Sequence, residues 1–227
     1  MLLVIEGIDG AGKGTQAGLL EQKAKEAGLR VQRLSFPRYG KTRFAETTAD
    51  YLNGKFGTID QVPPQFSALL FAGDRFESRP LLTRLMEEND LVILDRYVTS
   101  NIAYHAARVD EAERDTFIEW LAGIEYETYQ LPKPDLTLFL DVPVSISKDL
   151  VARKDARSYT DAKADIHEAR GDYLTICRQV YQRLCERNFG CRWELIPCTD
   201  DTGALYTTDH ISTRISEQVL ATFSHKS

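Results

Sequence analysis

Five short, largely apolar runs punctuate the chain, at 2–5, 31–36, 91–94, 136–140 and 193–196. Their length, and a continuous rather than alternating character, suit parallel strands covered on both faces. Between them, apolar residues recur at helical spacing. Ala17, Leu20, Ala24 and Ala27 stand three, four and three apart, and Gly28 sits where a C-terminal stop belongs. Such alternation predicts a doubly wound α/β fold: three layers, α/β/α, around a five-stranded parallel sheet with right-handed crossovers. The crossover from the second run to the third is long. It predicts helices at about 41–53, 64–78 and 80–88, with Pro63, Pro64 and Pro80 where helices begin. Extra helices there form a wall beside the strand ends, where such sheets bind ligands. The stretch 143–172, rich in Arg, Lys and Asp, predicts a second, mobile cover.

No linker, low-complexity segment or repeat divides the 227 residues, so one domain spanning 1–227 is expected. A composition of 43% hydrophobic and 27% charged residues excludes global disorder. With 28 Lys+Arg against 34 Asp+Glu, the net charge of −6 argues against a duplex-binding protein, which needs a basic footprint. A small anionic substrate remains compatible, because a few local cations outweigh a distant negative surface. After Met1 only four apolar residues precede Glu6, too few for a signal segment or a membrane span, and no other run approaches a span. Cys177, Cys185, Cys191 and Cys198, spaced eight, six and seven apart, match no zinc pattern. Reduced thiols and a cytoplasmic location are expected.

The strongest chemical signal is Gly7-Ile8-Asp9-Gly10-Ala11-Gly12-Lys13, directly after the first strand and opening the first helix. Glycines let backbone N–H groups turn around phosphate oxygens, the helix N-terminus adds partial positive charge, and Lys13 adds a full one. A nucleotide-phosphate cradle of the P-loop kind over residues 7–15 is predicted, with ATP the expected ligand. Gly14 stands where Ser or Thr usually follows the lysine, and Thr15 comes one residue later, an order similar to nucleoside monophosphate kinases. At the end of the third run, Asp95 suits Mg²⁺ or its water shell, and Arg96 suits a bidentate clamp on a phosphoryl group. The bland alternative is a surface Asp–Arg pair.

Further motifs carry a resemblance. Phe36-Pro37-Arg38-Tyr39-Gly40, Phe71-Ala72-Gly73-Asp74-Arg75, the Asp95-Arg96-Tyr97 to Tyr104 run and Leu131-Pro132-Lys133-Pro134-Asp135 together look like thymidylate kinase over residues 1 to about 198. Their forms are similar to actinobacterial members. The resemblance implies transfer of the ATP γ-phosphoryl group to dTMP with Mg²⁺, for dTTP synthesis, in a homodimer. It places an acceptor region at about 36–110, with Phe71 stacking on the base, Arg75 donating to a thymine carbonyl and Asn101 reading the imide edge. Tyr104 would lie under the sugar and crowd a 2′-hydroxyl. Asp9 would sit near the 3′-hydroxyl and acceptor phosphate and serve Mg²⁺, while Phe36, Tyr39, Arg96 and Ser100 complete the dTMP site. Read without the motif, the alternative for Phe71 and Tyr104 is a packed helix residue. His105 departs from the Gln common at its position.

Arg153-Lys154-Asp155-Ala156-Arg157 resembles the family lid, at about 150–168, and is otherwise a solvated charged face. Gly10-Ala11 leaves the cradle without the arginine some members carry, so Arg153 and Arg157 are the expected sources of transition-state charge. Asp165 and Glu168 resemble post-lid carboxylates, Asp165 toward the acceptor and Glu168 toward Mg²⁺. Lys13, Asp9, Arg96, Arg153 and Arg157 form the expected catalytic set. Two other readings stay open: a deoxynucleoside kinase, whose acceptor is a hydroxyl, and a nucleotide-binding module without turnover. A GTPase switch is disfavoured by the absence of Asn-Lys-x-Asp.

Overall fold

In the computed structural model, residues 1–155 and 172–224 are described. Strands β1 (Leu2–Glu6), β2 (Val31–Ser35), β3 (Leu91–Asp95), β4 (Leu136–Asp141) and β5 (Arg192–Pro197) form one parallel sheet in the order β2-β3-β1-β4-β5. Alternate side chains of the three central strands enter two separate cores. Leu2, Val4, Val92, Leu94 and Phe139 face one, and Leu3, Ile5, Ile93, Leu138 and Leu140 face the other. Helix α1 (Lys13–Glu26) and α8 (Thr208–Ser224) cover the second core through Ala17, Leu20, Ala24, Ile211, Ile215 and Val219. Helices α4 (Val98–Ala106), α5 (Arg114–Ala122) and α7 (Tyr173–Glu186) cover the first. This is the expected three-layer arrangement.

Three local expectations are corrected. β2 is an edge strand, so only Val31 is fully buried and Gln32, Arg33 and Ser35 are exposed. Ala27 is the exposed C-cap of α1 rather than a core residue, and Gly28 follows at φ 83 as the stop. The two helices expected at 64–78 and 80–88 are one helix, α3 (Pro64–Glu88), which carries Pro80 inside it. A mid-helix proline removes a hydrogen bond and crowds the preceding turn. Burial of Ser78 and Leu82 on either side, and a 2.8 Å bond from Arg79 Nη1 to the Tyr129 carbonyl, offset that cost.

Helix α2 (Arg43–Leu52) packs on α3 so closely that a Cβ at Gly73 would fall 2.4 Å from the Phe44 ring. The chain fills one side of β1 with β3 and β2, then the other with β4 and β5. Loops leaving the central strands therefore diverge and open a crevice at their C-terminal ends. Among the described residues no helix is long and apolar enough to cross a membrane. All four cysteines are free thiols, and burial pushes those of Cys177 and Cys198 up, the latter to about 12.

Candidate active site

The glycine loop leaves β1 and curls back into α1, whose N-terminus opens on a cavity of about 920 Å³ lined by Asp9 through Gln16 and by Asp95 and Arg96. Gly10 adopts φ 78, and a Cβ there would meet the Ser147 carbonyl at 2.3 Å. Ser147 belongs to α6 (Val144–Asp155), and its hydroxyl donates to the Asp9 carbonyl, at 2.5 Å. Gly14 explains its own departure from the common pattern. A Cβ there would stand 3.0 Å from Asp95 Oδ2, so glycine lets that carboxylate come up to the loop. Thr15 is exposed on the cavity. Gly7 and Ile8 lie beneath the lining, where their carbonyls accept from Lys13 Nζ at 3.0 and 2.9 Å. Burial, with Arg96 nearby, pulls the Lys13 ammonium down from 10.5 to about 8.

A second cavity, of about 320 Å³, brings together Asp9, Phe36, Tyr39, Phe71, Arg75, Arg96, Ser100, Asn101 and Tyr104, nine predicted residues drawn from four segments. Phe71 is held edge-on by the buried His105 ring, with centroids 5.3 Å apart, and His105 Nδ1 lies 2.9 Å from the Asn101 carbonyl. His105 also lines this cavity, beside Phe71. Arg75 is buried and paired with Glu125, its Nε and Nη2 donating to the carboxylate at 2.5 and 2.6 Å. Asn101 Nδ2 donates to the Ala68 carbonyl at 3.0 Å and to Glu125 Oε1 at 2.8 Å. Tyr104 meets Tyr173 and Tyr181 of α7 edge-on, at 6.1 and 6.5 Å.

The loop carrying Phe36 and Tyr39 is tied to α3 by Asp74. Its carboxylate accepts from Arg38 N at 2.9 Å and from the Thr42 hydroxyl at 2.5 Å. Thr42 in turn caps α2, accepting from Ala45 N at 3.1 Å.

Arg96 stands where the two cavities meet. Both are lined by Asp9, Ser35 and Arg96. Arg96 has left-handed backbone, φ 69, uncommon for a residue with a side chain. Its Nη2 donates to Asp9, Nη1 lies 3.3 Å from the Ser100 hydroxyl, and the guanidinium lies 5.2 Å from the Tyr104 ring centre. A polyphosphate cradle opening on a second, partly aromatic cleft across a shared arginine is the layout of a phosphotransferase with two bound substrates. Residues 5–205 match the family model for thymidylate kinase.

The chain belongs to the thymidylate kinase family. It is 36% identical to the thymidylate kinase of Mycobacterium tuberculosis over 214 residues, 92% of this chain and 96% of that one. Against the probable thymidylate kinase of Thermococcus onnurineus it is 34% identical over 192 residues, 82% and 85% of the two chains. A solved thymidylate kinase structure from Candida albicans aligns with TM-score 0.72 and 25% identity, covering 99% of this chain and 92% of that one. As a thymidylate kinase it carries out ATP-dependent phosphorylation of dTMP to dTDP.

Of the remaining predicted residues, Arg153 lies in the last turn of α6, and Arg157, Asp165 and Glu168 fall outside the described residues. Sequence reasoning missed several residues that shape this candidate site. Glu6, fully buried at the end of β1, accepts from Tyr97 N, Thr99 Oγ1, Ser100 N, Ser100 Oγ and Tyr181 Oη at 2.6–3.0 Å. It serves as the acceptor for the N-terminus of α4, which has no side-chain cap of its own, and so sets the height of Ser100 and Asn101. An acid in the last position of an otherwise apolar strand was the available signal. Val142, Leu205, Tyr206, Thr208 and Ile211 wall the far side of the larger cavity. Their position after the ends of β4 and β5 was the only hint.

Proposed function

We propose that the two joined cavities divide the substrates between them, dTMP in the smaller and ATP in the larger, with the phosphoryl group passing across Asp9 and Arg96. The sharing of those residues by both cavities is the observation that carries this reading. In the smaller cleft, Phe71 stacks on the base, Asn101 Oδ1 accepts from the imide N–H, and Arg75 donates to a ring carbonyl. Tyr104 underlies the sugar and disfavours a 2′-hydroxyl. Phe36, Tyr39 and Ser100 enclose the 5′-phosphate, on which Arg96 closes as a two-pronged donor. Asp9 lies between the sugar side and the transferring group. In the larger cavity the loop N–H groups and Lys13 hold the β- and γ-phosphates, and the wall at Leu205 and Tyr206 takes the adenine.

No protein nucleophile is needed, because the acceptor phosphate oxygen attacks in line and catalysis is positioning plus charge stabilisation. Asp9, Thr15 and Asp95 put hard oxygen donors on the larger cavity. Hard oxygen donors suit Mg²⁺, an ion that keeps waters and substrate phosphates in its shell. Those three residues, with Glu168, are the proposed holders, and bound there Mg²⁺ supplies charge neutralisation of the donor phosphates. Arg153 and Arg157 are the proposed sources of the remaining positive charge, and Asp165 is a proposed contact of the acceptor. The whole chain acts as one kinase unit and assembles as a homodimer; exposed Phe66 and Phe76 on α3 support an apolar contact. Four free thiols support a cytoplasmic setting.

ADP release measured with ATP and Mg²⁺ across dTMP, dUMP, dCMP, dAMP and thymidine tests the substrate division. The expected order places dTMP first and thymidine at background, since a hydroxyl acceptor gives Arg96 nothing to clamp. Faster turnover of thymidine than of dTMP would overturn the reading in favour of a nucleoside kinase.

A further inference from the structure

We infer that Glu125 is a positioning residue that fixes the polarity with which Asn101 and Arg75 meet the pyrimidine, and so sets the enzyme's preference for an imide base. The inference rests on the proposed placing of the base in the smaller cleft and extends it to a residue that does not line that cleft.

Glu125 is fully buried and sits on a single wide turn, Gly123–Thr128, that continues α5 with π-helical bonding. Such turns re-aim a side chain that a regular helix would place elsewhere. Its carboxylate spends both oxygens on the base-facing residues. Oε2 accepts from Arg75 Nε, and Oε1 accepts from Arg75 Nη2 and from Asn101 Nδ2. The second proton of the Asn101 amide goes to the Ala68 carbonyl. Both partners of Nδ2 are acceptors, so the amide has one allowed orientation. Its oxygen, Oδ1, is then left buried without a hydrogen-bond partner on a residue that lines the cleft.

An unpartnered buried acceptor is costly and calls for a donor from the ligand. The imide N–H of thymine is such a donor, whereas cytosine presents a lone pair at the same ring position. Arg75, with Nε and Nη2 held by Glu125, keeps Nη1 for a ring carbonyl. Cytosine offers an amino group there instead. Glu125 therefore makes both contacts favourable for one base and both unfavourable for the other, without touching either. Glutamine at this position keeps the size and loses one acceptor. Its amide would face Arg75 or Asn101 donor to donor, freeing Asn101 to turn over and present Nδ2 to the cleft.

The test compares Glu125→Gln and Glu125→Asp with the unmodified enzyme, using dTMP and dCMP as acceptors and recording Tm for each protein. The expected result for Glu125→Gln is a rise of at least ~10-fold in KM for dTMP and a fall of at least ~10-fold in the dTMP/dCMP ratio of kcat/KM, with KM for ATP within about twofold of the original. Glu125→Asp, which keeps the charge on a shorter stem, should lose less of that ratio. A purely structural role would lower Tm and leave the ratio where it was, and that outcome in Glu125→Gln overturns the inference. Nuclear magnetic resonance of the unmodified full chain adds a readout independent of variant folding. The Asn101 side-chain NH₂ protons should be protected from exchange before any nucleotide is added, and rapid exchange would equally overturn it. Asn101→Ala separates the two levels. If it leaves KM for dTMP unchanged, the placing of the base is wrong; if it raises KM while Glu125→Gln keeps the selectivity, only the role of Glu125 is.

Discussion

Lys13→Ala is expected to lower kcat/KM by at least ~10²-fold, the scale seen when a group that stabilises transferring charge is removed. The lysine is 6% exposed and anchored by the Gly7 and Ile8 carbonyls, so its ammonium is already in place before ATP arrives. Near-normal turnover with dTMP would contradict the assignment. The same lysine predicts a pH dependence. Burial and Arg96 hold the free-enzyme ammonium at about 8, whereas phosphate oxygens beside it favour the charged form. The bound pKa therefore lies above the free one, and binding takes up a proton above pH 8. ATP affinity should hold its full value up to about pH 8 and then weaken by up to roughly tenfold per pH unit. Titration calorimetry between about pH 7 and about pH 9.5 reads this directly, and affinity that stays flat or rises above pH 8 would contradict it.

Arg96→Ala is expected to cost at least ~10²-fold in kcat/KM for dTMP, and Arg96→Lys to recover little of it. One prong of the guanidinium donates to Asp9, the other points to Ser100, and the plane lies by the Tyr104 ring. A lysine ammonium cannot bridge two directions from one rigid plane. The left-handed backbone at Arg96 supports a functional constraint, since such conformations cost about 1–3 kcal/mol and persist where the surroundings enforce them. Steady-state kinetics should show KM for dTMP rising and kcat falling together. A lysine variant with full activity would reduce Arg96 to a point charge.

The parts legible in the sequence are those whose physics is local. Buried parallel strands announce themselves as apolar runs, and a glycine-rich turn between strand and helix needs little beyond its own backbone. The edge strand β2 was harder, because Val31-Gln32-Arg33-Leu34-Ser35 has apolar residues only at Val31 and Leu34, and only the sheet order makes it peripheral. Pro80 read as a helix start because its effect on neighbouring backbone is local, while the burial that carries α3 through it is tertiary.

At the candidate site, Asp9, Arg96 and the α4 residues that line the smaller cavity were legible because they fall in short motifs. Glu125 was not. It lies at helical spacing after Phe117, Ile118, Leu121 and Ala122, on a buried stripe, but its partners Arg75 and Asn101 are distant in sequence. An acid continuing an apolar helical stripe is the signal that was there to be read. Glu6 carries the same lesson, since an acid ending a buried strand implies donors brought to it from elsewhere.

If ATP and dTMP occupy the two cavities that share Asp9 and Arg96, a single molecule in which adenosine and thymidine are joined 5′ to 5′ through five phosphates should span both. Steady-state kinetics should show competitive inhibition against ATP and, separately, against dTMP, with affinity reduced by Arg96→Ala. Competition with only one of the two substrates would contradict that division between the cavities.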